Sequence, residues 1–405
     1  MRIAVVARSA DRVGGAEAYV QTLLPLLVER GHEAALCLEL PSTGAAETDG
    51  AERFDLSPEG APSRFPRLRR WQPDVVFVNG LLSSHSEEAL LDIAPNVLLA
   101  HNYRGTCISG TKTRSWPRAS PCGRALGWGC LAHYFPRRCG GRSPVTMASD
   151  FARERRRQRL LGRYARVLTL SDHMRREYVG NGASESRAFV LPWFAPHVDA
   201  AQVRRKSPGP WRLLYLGRME SLKGGDLLLD ALPHVRAQLD TALDVTFAGE
   251  GRRRQPWESI AAALRRRHPD VSLRFTGWLA PDAVRATLSR TDLLIMPSRW
   301  PEPFGLAGTE AAAHGVPSAA FAVGGIPEWL EDGVTGHLAP AGPPSADRLA
   351  SAIVQCLRDR GHHAALGAAA RRRACEHGLE PHVQALEEHL RAAANSPRSA
   401  EEAVP

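Results

Sequence analysis

Lysine is nearly missing from this chain: Lys112, Lys206 and Lys223 are its only three, against 49 arginines in 405 residues. A general preference for arginine explains the scarcity, and it makes a lysine inside a glycine-rich turn more informative than usual. Also missing is any apolar run near the roughly 20 residues that a membrane-spanning helix requires. The opening stretch from Met1 to Ala7 is too short for a secretory signal and reads as a first buried strand, so a cytoplasmic protein is expected. Neither G-x-G-x-x-G nor G-x-x-x-x-G-K-[ST] occurs, which removes the usual grounds for a dinucleotide or P-loop site. No Asp-x-Asp and no close Cys-x-x-Cys pair occurs either. Seven cysteines, an odd number without a secretory signal, argue against a full disulfide framework.

What is present suits a globular protein with a sizeable core: 43% hydrophobic and 23% charged residues. The length fits two domains of about 200 residues. The formal charge of +9 is uneven, since residues 1–195 hold 27 Lys+Arg against 19 Asp+Glu, whereas residues 196–405 hold 25 against 24. The excess gathers at Arg64, Arg67, Arg69 and Arg70 and again at Arg153, Arg155, Arg156, Arg157 and Arg159. Such clusters are either solvated faces or a means of attraction to an anionic surface, lipid headgroups or a phosphate-bearing acceptor. Nucleic acid is not expected, because no recognition motif accompanies the charge.

Short apolar runs alternate with amphipathic stretches twice over. Strands are expected at 3–7, 34–38, 74–78, 97–100, 166–170 and 189–191, then at 212–216, 245–248, 272–275, 293–296 and 318–321. Helices are expected between them, at 16–30, 85–91, 150–163 and 172–180 in the first half. This alternation predicts an α/β protein with two doubly wound, Rossmann-like parallel sheets. The expected domains are 1–195 and 196–378, joined through the Pro-rich, charged stretch 192–210. A last helix at 379–394 and a disordered tail at 395–405 follow.

Open parallel sheets bind ligands beyond the carboxyl ends of their strands, so the loops there carry the chemistry. After the first strand come Gly14, Gly15 and Glu17, a turn that lets backbone approach an anion at a helix start. After the strand ending at 216 come Gly217, Arg218, Lys223 and two more glycines, a spacing that suits two neighbouring phosphates. Gly249, Glu250 and Gly251 form a third loop, a turn first and a site second. The most telling loop follows the strand 293–296: Glu302 precedes a helix, Phe304, Gly305 and Leu306 open it, and Glu310 lies a turn inside. Carboxylates grip sugar and ribose hydroxyls while the N–H groups between them face phosphate. The pattern is a nucleotide site.

These loops, with EPFGLAGTEAAAHGVPSAAFAVGG and the early GGAE in the same order, resemble the retaining glycosyltransferases of family 4, which have the GT-B fold. The resemblance reaches to about residue 393. It implies two facing domains with a deep cleft, and it matches Glu302 and Glu310 to that family's E-x7-E pair. By the same likeness Arg218 and Lys223 bind the diphosphate, with Gly14 and Gly15 closing over it. Glu310 holds the ribose, and Glu302 contacts the transferred sugar. His101 matches the family's active-site histidine, with Asn102, Tyr103 and Arg104 beside it and Glu17 also on the acceptor side. The implied donor is a nucleotide-diphosphate sugar, no metal is needed for catalysis, and configuration is retained by front-face reaction without a covalent intermediate. A lipid-linked or surface-polysaccharide acceptor comes first and a small natural product second, with peripheral attachment to an anionic inner membrane face.

One segment stands outside that pattern. Residues 107–142 form a basic insertion holding Cys107, Cys122, Cys130 and Cys139. Structural zinc, one or two disulfides, or thiols are the three readings of that set. A rival class follows from it: an Arg-rich, zinc-stabilised module that binds nucleic acid or membrane. That class would leave Arg218, Lys223, Glu302 and Glu310 without a purpose.

Overall fold

A computed structural model describes residues 1–9, 15–40, 51–56, 65–80, 83–198, 209–239 and 241–396. Gly14, Arg64, Lys206 and residues 397–405 of the expected tail lie outside the described residues. The chain divides into two compact units: residues 1–112, 123–192 and 380–405 form one, and residues 113–122 and 193–379 form the other.

In the first unit the strands are β1 (Arg2–Ala7), β2 (Glu33–Leu38), β3 (Glu52–Asp55), β4 (Val75–Asn79) and β5 (Asn96–Ala100), then β8 (Arg166–Thr169) and β9 (Ala188–Val190). Between β5 and β8 lies the antiparallel pair β6 (Thr113–Arg114) and β7 (Ser120–Pro121). The main sheet is parallel throughout in the order β3-β2-β1-β4-β5-β8-β9. Ile3, Val5, Val75, Phe77, Val97 and Leu99 are buried, as aliphatic strands covered on both faces must be.

The second unit holds β10 (Trp211–Leu216), β11 (Leu243–Ala248), β12 (Val271–Gly277), β13 (Leu293–Met296), β14 (Ser318–Phe321) and β15 (Gly336–Ala339). Their order, β12-β11-β10-β13-β14-β15, is again all parallel. Each sheet therefore reverses direction beside its own first strand, at β1/β4 and at β10/β13, and these are the switch points where ligands bind. Both are doubly wound Rossmann-like sheets.

Beyond the two-residue pair β6 and β7, two strands of the main sheets escape sequence reading. β3 (ERFD) and β15 (GHLA) are sheet-edge strands of four residues, too short and too polar for period-two patterning to register. The helix expected at 150–163 begins earlier, at Pro144, because Ser143 accepts a cap bond from the Thr146 N–H and proline suits the first turn.

The last helix, Leu379–Ala394, follows the second unit in sequence but belongs to the first. His382 binds Tyr19 (2.9 Å) and the carbonyl of Pro192 (2.8 Å). Glu387, buried, takes Arg30 at 3.0 Å and His32 at 2.7 Å. A buried carboxylate with two partners holds that helix by charge as well as by Val383, Leu386 and Leu390, which are also buried.

In the first of the two charge clusters Arg67, Arg69 and Arg70 are exposed, and the second is tied partly into ion pairs. Arg157 is buried between Glu87 and Glu154, both at 2.9 Å, and Arg153 reaches Asp150 and Glu154. Arg156 meets Glu88 at 2.6 Å. Arg157 is thus internal structure, whereas Arg153 and Arg156 are paired but part-exposed and Arg159 is exposed.

Candidate functional site

At the second switch point, three loops are held together through backbone. The Met219 N–H donates to the Glu250 carbonyl (2.7 Å), and the Arg299 N–H donates to that of Leu222 (2.8 Å). The Arg299 guanidinium adds bonds to the Ser221 carbonyl (3.0 Å) and Asp226 (2.8 Å). Two glycines permit this closeness. Gly224, at φ +70°, would bring a Cβ to 1.9 Å from the Pro297 carbonyl oxygen. Gly324, at φ +61°, would bring one to 2.2 Å from the Glu302 carbonyl oxygen. No larger residue fits either contact without moving backbone.

That scaffold joins Lys223 to Glu302. The ammonium donates to Glu302 Oε1 at 2.7 Å and lies 5.3 Å from the centre of the Trp300 ring. The Ser298 hydroxyl donates to the same carboxylate oxygen. Glu302 is only 3% exposed, so its charge is balanced by this lysine and hydroxyl rather than by water. Arg218, by contrast, is exposed and has no side-chain partner among the described residues; its carbonyl accepts from the Tyr215 hydroxyl at 2.8 Å. Glu250 pairs with Arg254, which makes it part of a helix start in this structure.

The helix Leu306–Ala313 starts at Gly305 with no side-chain cap, so its first N–H groups present the positive end of the helix. Trp329 fixes the turn before it, donating from Nε1 to the Phe304 carbonyl at 2.6 Å. Phe304 is itself buried, which leaves backbone, not its ring, as what the turn can offer. Glu310 is half-buried on this helix, and desolvation pushes its carboxyl up to about 7.

At the first switch point the central pair is neutral. His101 follows β5 and shares a hydrogen bond with the side-chain oxygen of Asn79, Nε2 to Oδ1, at 2.5 Å. An amide oxygen only accepts, so Nε2 carries the proton and Nδ1 is the acceptor nitrogen. The other end of Asn79 donates to the Ala16 carbonyl at 2.9 Å, which fixes the amide orientation and ties the His101 loop to the helix start after Gly15. Burial lowers the His101 pKa to about 4, so the ring is neutral near pH 7. Asn102 accepts from the Arg104 N–H at 3.0 Å. Burial and the neighbouring Arg157 lower the pKa of Arg104. Tyr103, expected on the acceptor side, is instead fully buried and edge-on to His173. Glu17 is half-buried in the first turn of helix Gly15–Glu29.

Asn79, Ser298 and Trp300 were not singled out in the sequence. Asn79 is the one legible in retrospect: a polar residue closing the buried run Val75-Val-Phe-Val78, at a carboxyl strand end. The cysteine segment needs a correction. Cys107 contacts Ser109, Cys130 the Ala125 carbonyl and Cys139 the His133 carbonyl. No group of three or more His, Cys, Asp or Glu suited to a metal occurs among the described residues, and none of the seven cysteines is in a disulfide. The zinc reading of Cys107, Cys122, Cys130 and Cys139 has no tetrad to rest on among the described residues, and Cys130 and Cys139 pack against an apolar cluster with Ile108, Leu126 and Tyr134.

Comparison with known proteins covers nearly the whole chain. Residues 14–193 match the glycosyl transferase 4-like domain and residues 199–373 match glycosyl transferases group 1. The chain is 30% identical over 300 residues to a glycogen synthase of Mycobacterium tuberculosis, covering 72% of this chain and 62% of that protein. It therefore spans less than two thirds of that relative. It is 29% identical over 385 residues to a GDP-mannose-dependent alpha-(1-6)-phosphatidylinositol monomannoside mannosyltransferase of the same organism, covering 89% of this chain and 90% of that one. Among solved structures, Anabaena Alr3699/HepE in complex with UDP-glucose superimposes with a TM-score of 0.66 at 20% identity, over 97% of this chain and 100% of that chain. Sucrose-phosphate synthase from Thermosynechococcus elongatus gives 0.68 at 19%, over 96% and 98%. At such identities these two speak for the fold.

Proposed function

The chain belongs to the family 4 glycosyltransferases of GT-B fold, and from that premise we propose that it moves a hexose-type sugar from a nucleotide diphosphate to an acceptor with retention of configuration. The observation that carries this reading is the Lys223–Glu302 pair at the second switch point. A buried carboxylate and a lysine held together by glycine-constrained loops form a preorganised site that binds opposite features of one donor. Lys223 and exposed Arg218 neutralise the diphosphate, together with the uncapped helix start at Gly305 and Leu306. Glu302 accepts from sugar hydroxyls and Glu310 from the ribose. Gly217, Gly14 and Gly15 let backbone approach the same ligand.

His101, with Asn102, serves the acceptor side of the reaction as a neutral ring. The charge of the leaving diphosphate is carried by arginine, lysine and helix, so catalysis needs no metal. The likeness to a mannosyltransferase that acts on phosphatidylinositol monomannoside supports a lipid-linked or surface-glycan acceptor, reached from an anionic membrane face. No described helix is long and apolar enough to cross a membrane, and attachment is peripheral in this reading.

A thermal-shift screen of UDP-, GDP-, ADP- and dTDP-sugars tests it, because a ligand that binds only the native state raises its melting temperature. One nucleotide class should stabilise the protein and serve as donor in the presence of EDTA. Failure of all four, or an inverted anomer in the product by NMR, would reject the proposed chemistry.

A further inference from the structure

Between Asp92 and Asp150 the chain contains no acidic residue, while eight basic ones fall from Arg104 to Arg142. The part of this stretch within the first unit, residues 123–149, folds as a short helix, Gly129–Tyr134, against the longer helix Pro144–Leu160. Trp128 and Phe135 flank the short helix with helical backbone angles. Seven residues at about 100° each return to nearly the same direction, so these two side chains share one face about 10 Å apart. The opposite face carries Cys130 and Tyr134, which pack into the apolar cluster with Leu126 and Phe151. The Trp128 and Phe135 rings border that cluster, Trp128 with its centroid 5.3 Å from that of Phe151 and Phe135 edge-on to Tyr134.

A short helix that buries one face should turn a polar face to water. This one does not. Trp128 is 74% exposed and Phe135 is 41% exposed, and Val145 at the start of the next helix is 78% exposed. Close to them in sequence are exposed Arg124, Arg138 and Arg142. The Arg124 guanidinium lies close to the first residue of the helix, within 3.2 Å of where a Gly129 Cβ would be. Single exposed apolar residues are ordinary, but two large aromatics on one face, with arginines and no carboxylate near in sequence, are not.

We propose that this hairpin tip docks on an anionic lipid bilayer, with Trp128 and Phe135 entering the interfacial region and the arginines meeting lipid phosphates. The inference rests on the peripheral attachment proposed above and gives that attachment a surface. It also moves it away from the Arg153–Arg159 cluster, where Arg153, Arg156 and Arg157 are engaged by carboxylates. Tryptophan and phenylalanine suit the interface, since a bilayer accepts their rings at headgroup depth. The choice of lipid over a protein partner rests on charge complementarity: nothing acidic in the patch offers a basic or mixed partner a counter-charge.

The test is co-sedimentation of the full chain with phosphatidylcholine vesicles, with and without phosphatidylglycerol, at low and high salt. The wild type should bind only the anionic vesicles and leave them at high salt. Trp128→Ala with Phe135→Ala should weaken binding by more than about tenfold, and so should Arg124→Gln with Arg142→Gln. The far-ultraviolet spectrum should stay unchanged and the melting temperature should fall only slightly, since all four residues are exposed although Trp128 touches Phe151 and Phe135 touches Tyr134. Quenching of tryptophan emission by brominated lipid should fall sharply in Trp128→Phe. If the wild type binds and the double variants bind equally well, the tip is wrong while membrane attachment stands. If the wild type ignores anionic vesicles at low salt, both ideas fall, and the exposed aromatics belong to a protein or glycan contact.

Discussion

The two switch points have the same strand order and opposite electrostatics. Beside β10 and β13 a carboxylate and an ammonium are pressed together under two glycines that cannot carry a side chain. Beside β1 and β4 a neutral imidazole is oriented by a neutral amide. The difference follows from what each end is proposed to meet. A diphosphate is bound by charge, and charge held in advance costs no reorganisation when the ligand arrives. A group that handles an acceptor hydroxyl gains from a fixed tautomer and from remaining uncharged. The same architecture thus supports an ionic anchor in one unit and a neutral, hydrogen-bonded one in the other.

The comparison is broken most severely by a methyl group. Gly324→Ala places a Cβ against the Glu302 carbonyl at a positive φ, so the backbone carrying Glu302 must move. Donor affinity should fall by more than about a hundredfold, and the second unit should lose about 3 kcal/mol. Calorimetric titration with the nucleotide identified by the screen, beside a denaturation curve, reads both. Asn79→Ala should leave that affinity within about twofold, since the amide belongs to the other anchor.

The next effect separates ion pair from exposed charge. Lys223→Ala should cost about 1.5–3 kcal/mol of donor binding, and so should Arg218→Ala. Only the lysine variant should also destabilise the apo protein, because it strands the buried Glu302 carboxylate. Adding Glu302→Gln to Lys223→Ala should recover part of that stability without restoring transfer. If the two single variants melt alike, Glu302 does not depend on Lys223.

The ionic anchor was readable in sequence because its parts are constrained types at fixed spacing: glycines at tight contacts, a rare lysine, and two glutamates around a helix start. Most long strands were readable for a related reason, their unbroken aliphatic runs. The neutral anchor was only half readable. His101 stood at a strand end, but Asn79 is 22 residues away and reaches it only because β4 and β5 are neighbours in the sheet. The placement of helix Leu379–Ala394 on the first unit was beyond sequence reading, since amphipathicity gives a helix a buried face without naming its partner. Composition hid the pairing of Arg156 and Arg157, because the acids that meet them, Glu88 and Glu87, come from another helix.

Converting the neutral anchor into an ionic one sharpens the comparison. Asn79→Asp keeps an acceptor for His101 Nε2–H but adds a charge that favours the imidazolium, so the ring pKa should rise well above about 4. In the wild type the depressed value means the unfolded chain takes up the proton first, and stability is lost as pH falls from about 6.5 toward 4. That acid-side loss should shrink in the variant. Transfer should fall about tenfold near neutral pH and show a new dependence on the ring, with donor affinity unchanged. Imidazole NMR titration reads the pKa directly. An unmoved pKa would mean that Asn79 does not hold the ring.

The smallest effect tests whether the ionic anchor extends to the ribose end. Glu310 is pushed up to about 7 by burial, so much of it is protonated when no donor is bound near neutral pH. Its folded value lies above the unfolded one, so the unfolded chain ionises first, and stability is lost as pH rises from about 4.5 to 7. Ribose hydroxyls donate more strongly to a carboxylate than to a carboxylic acid, so a bound nucleotide favours ionised Glu310 and draws its pKa down. Affinity should therefore improve as pH rises toward about 7 and level off above it, gaining at most about tenfold per pH unit. Binding should release a fraction of a proton in that window, seen as a buffer-dependent heat in calorimetry. Glu310→Gln should keep a hydrogen bond to the ribose, remove the proton release, and flatten the pH dependence at a cost of a few-fold in affinity. Proton release that persists in Glu310→Gln would assign it to another group on the donor path, and Glu310 would then be no more than the half-buried face of its helix.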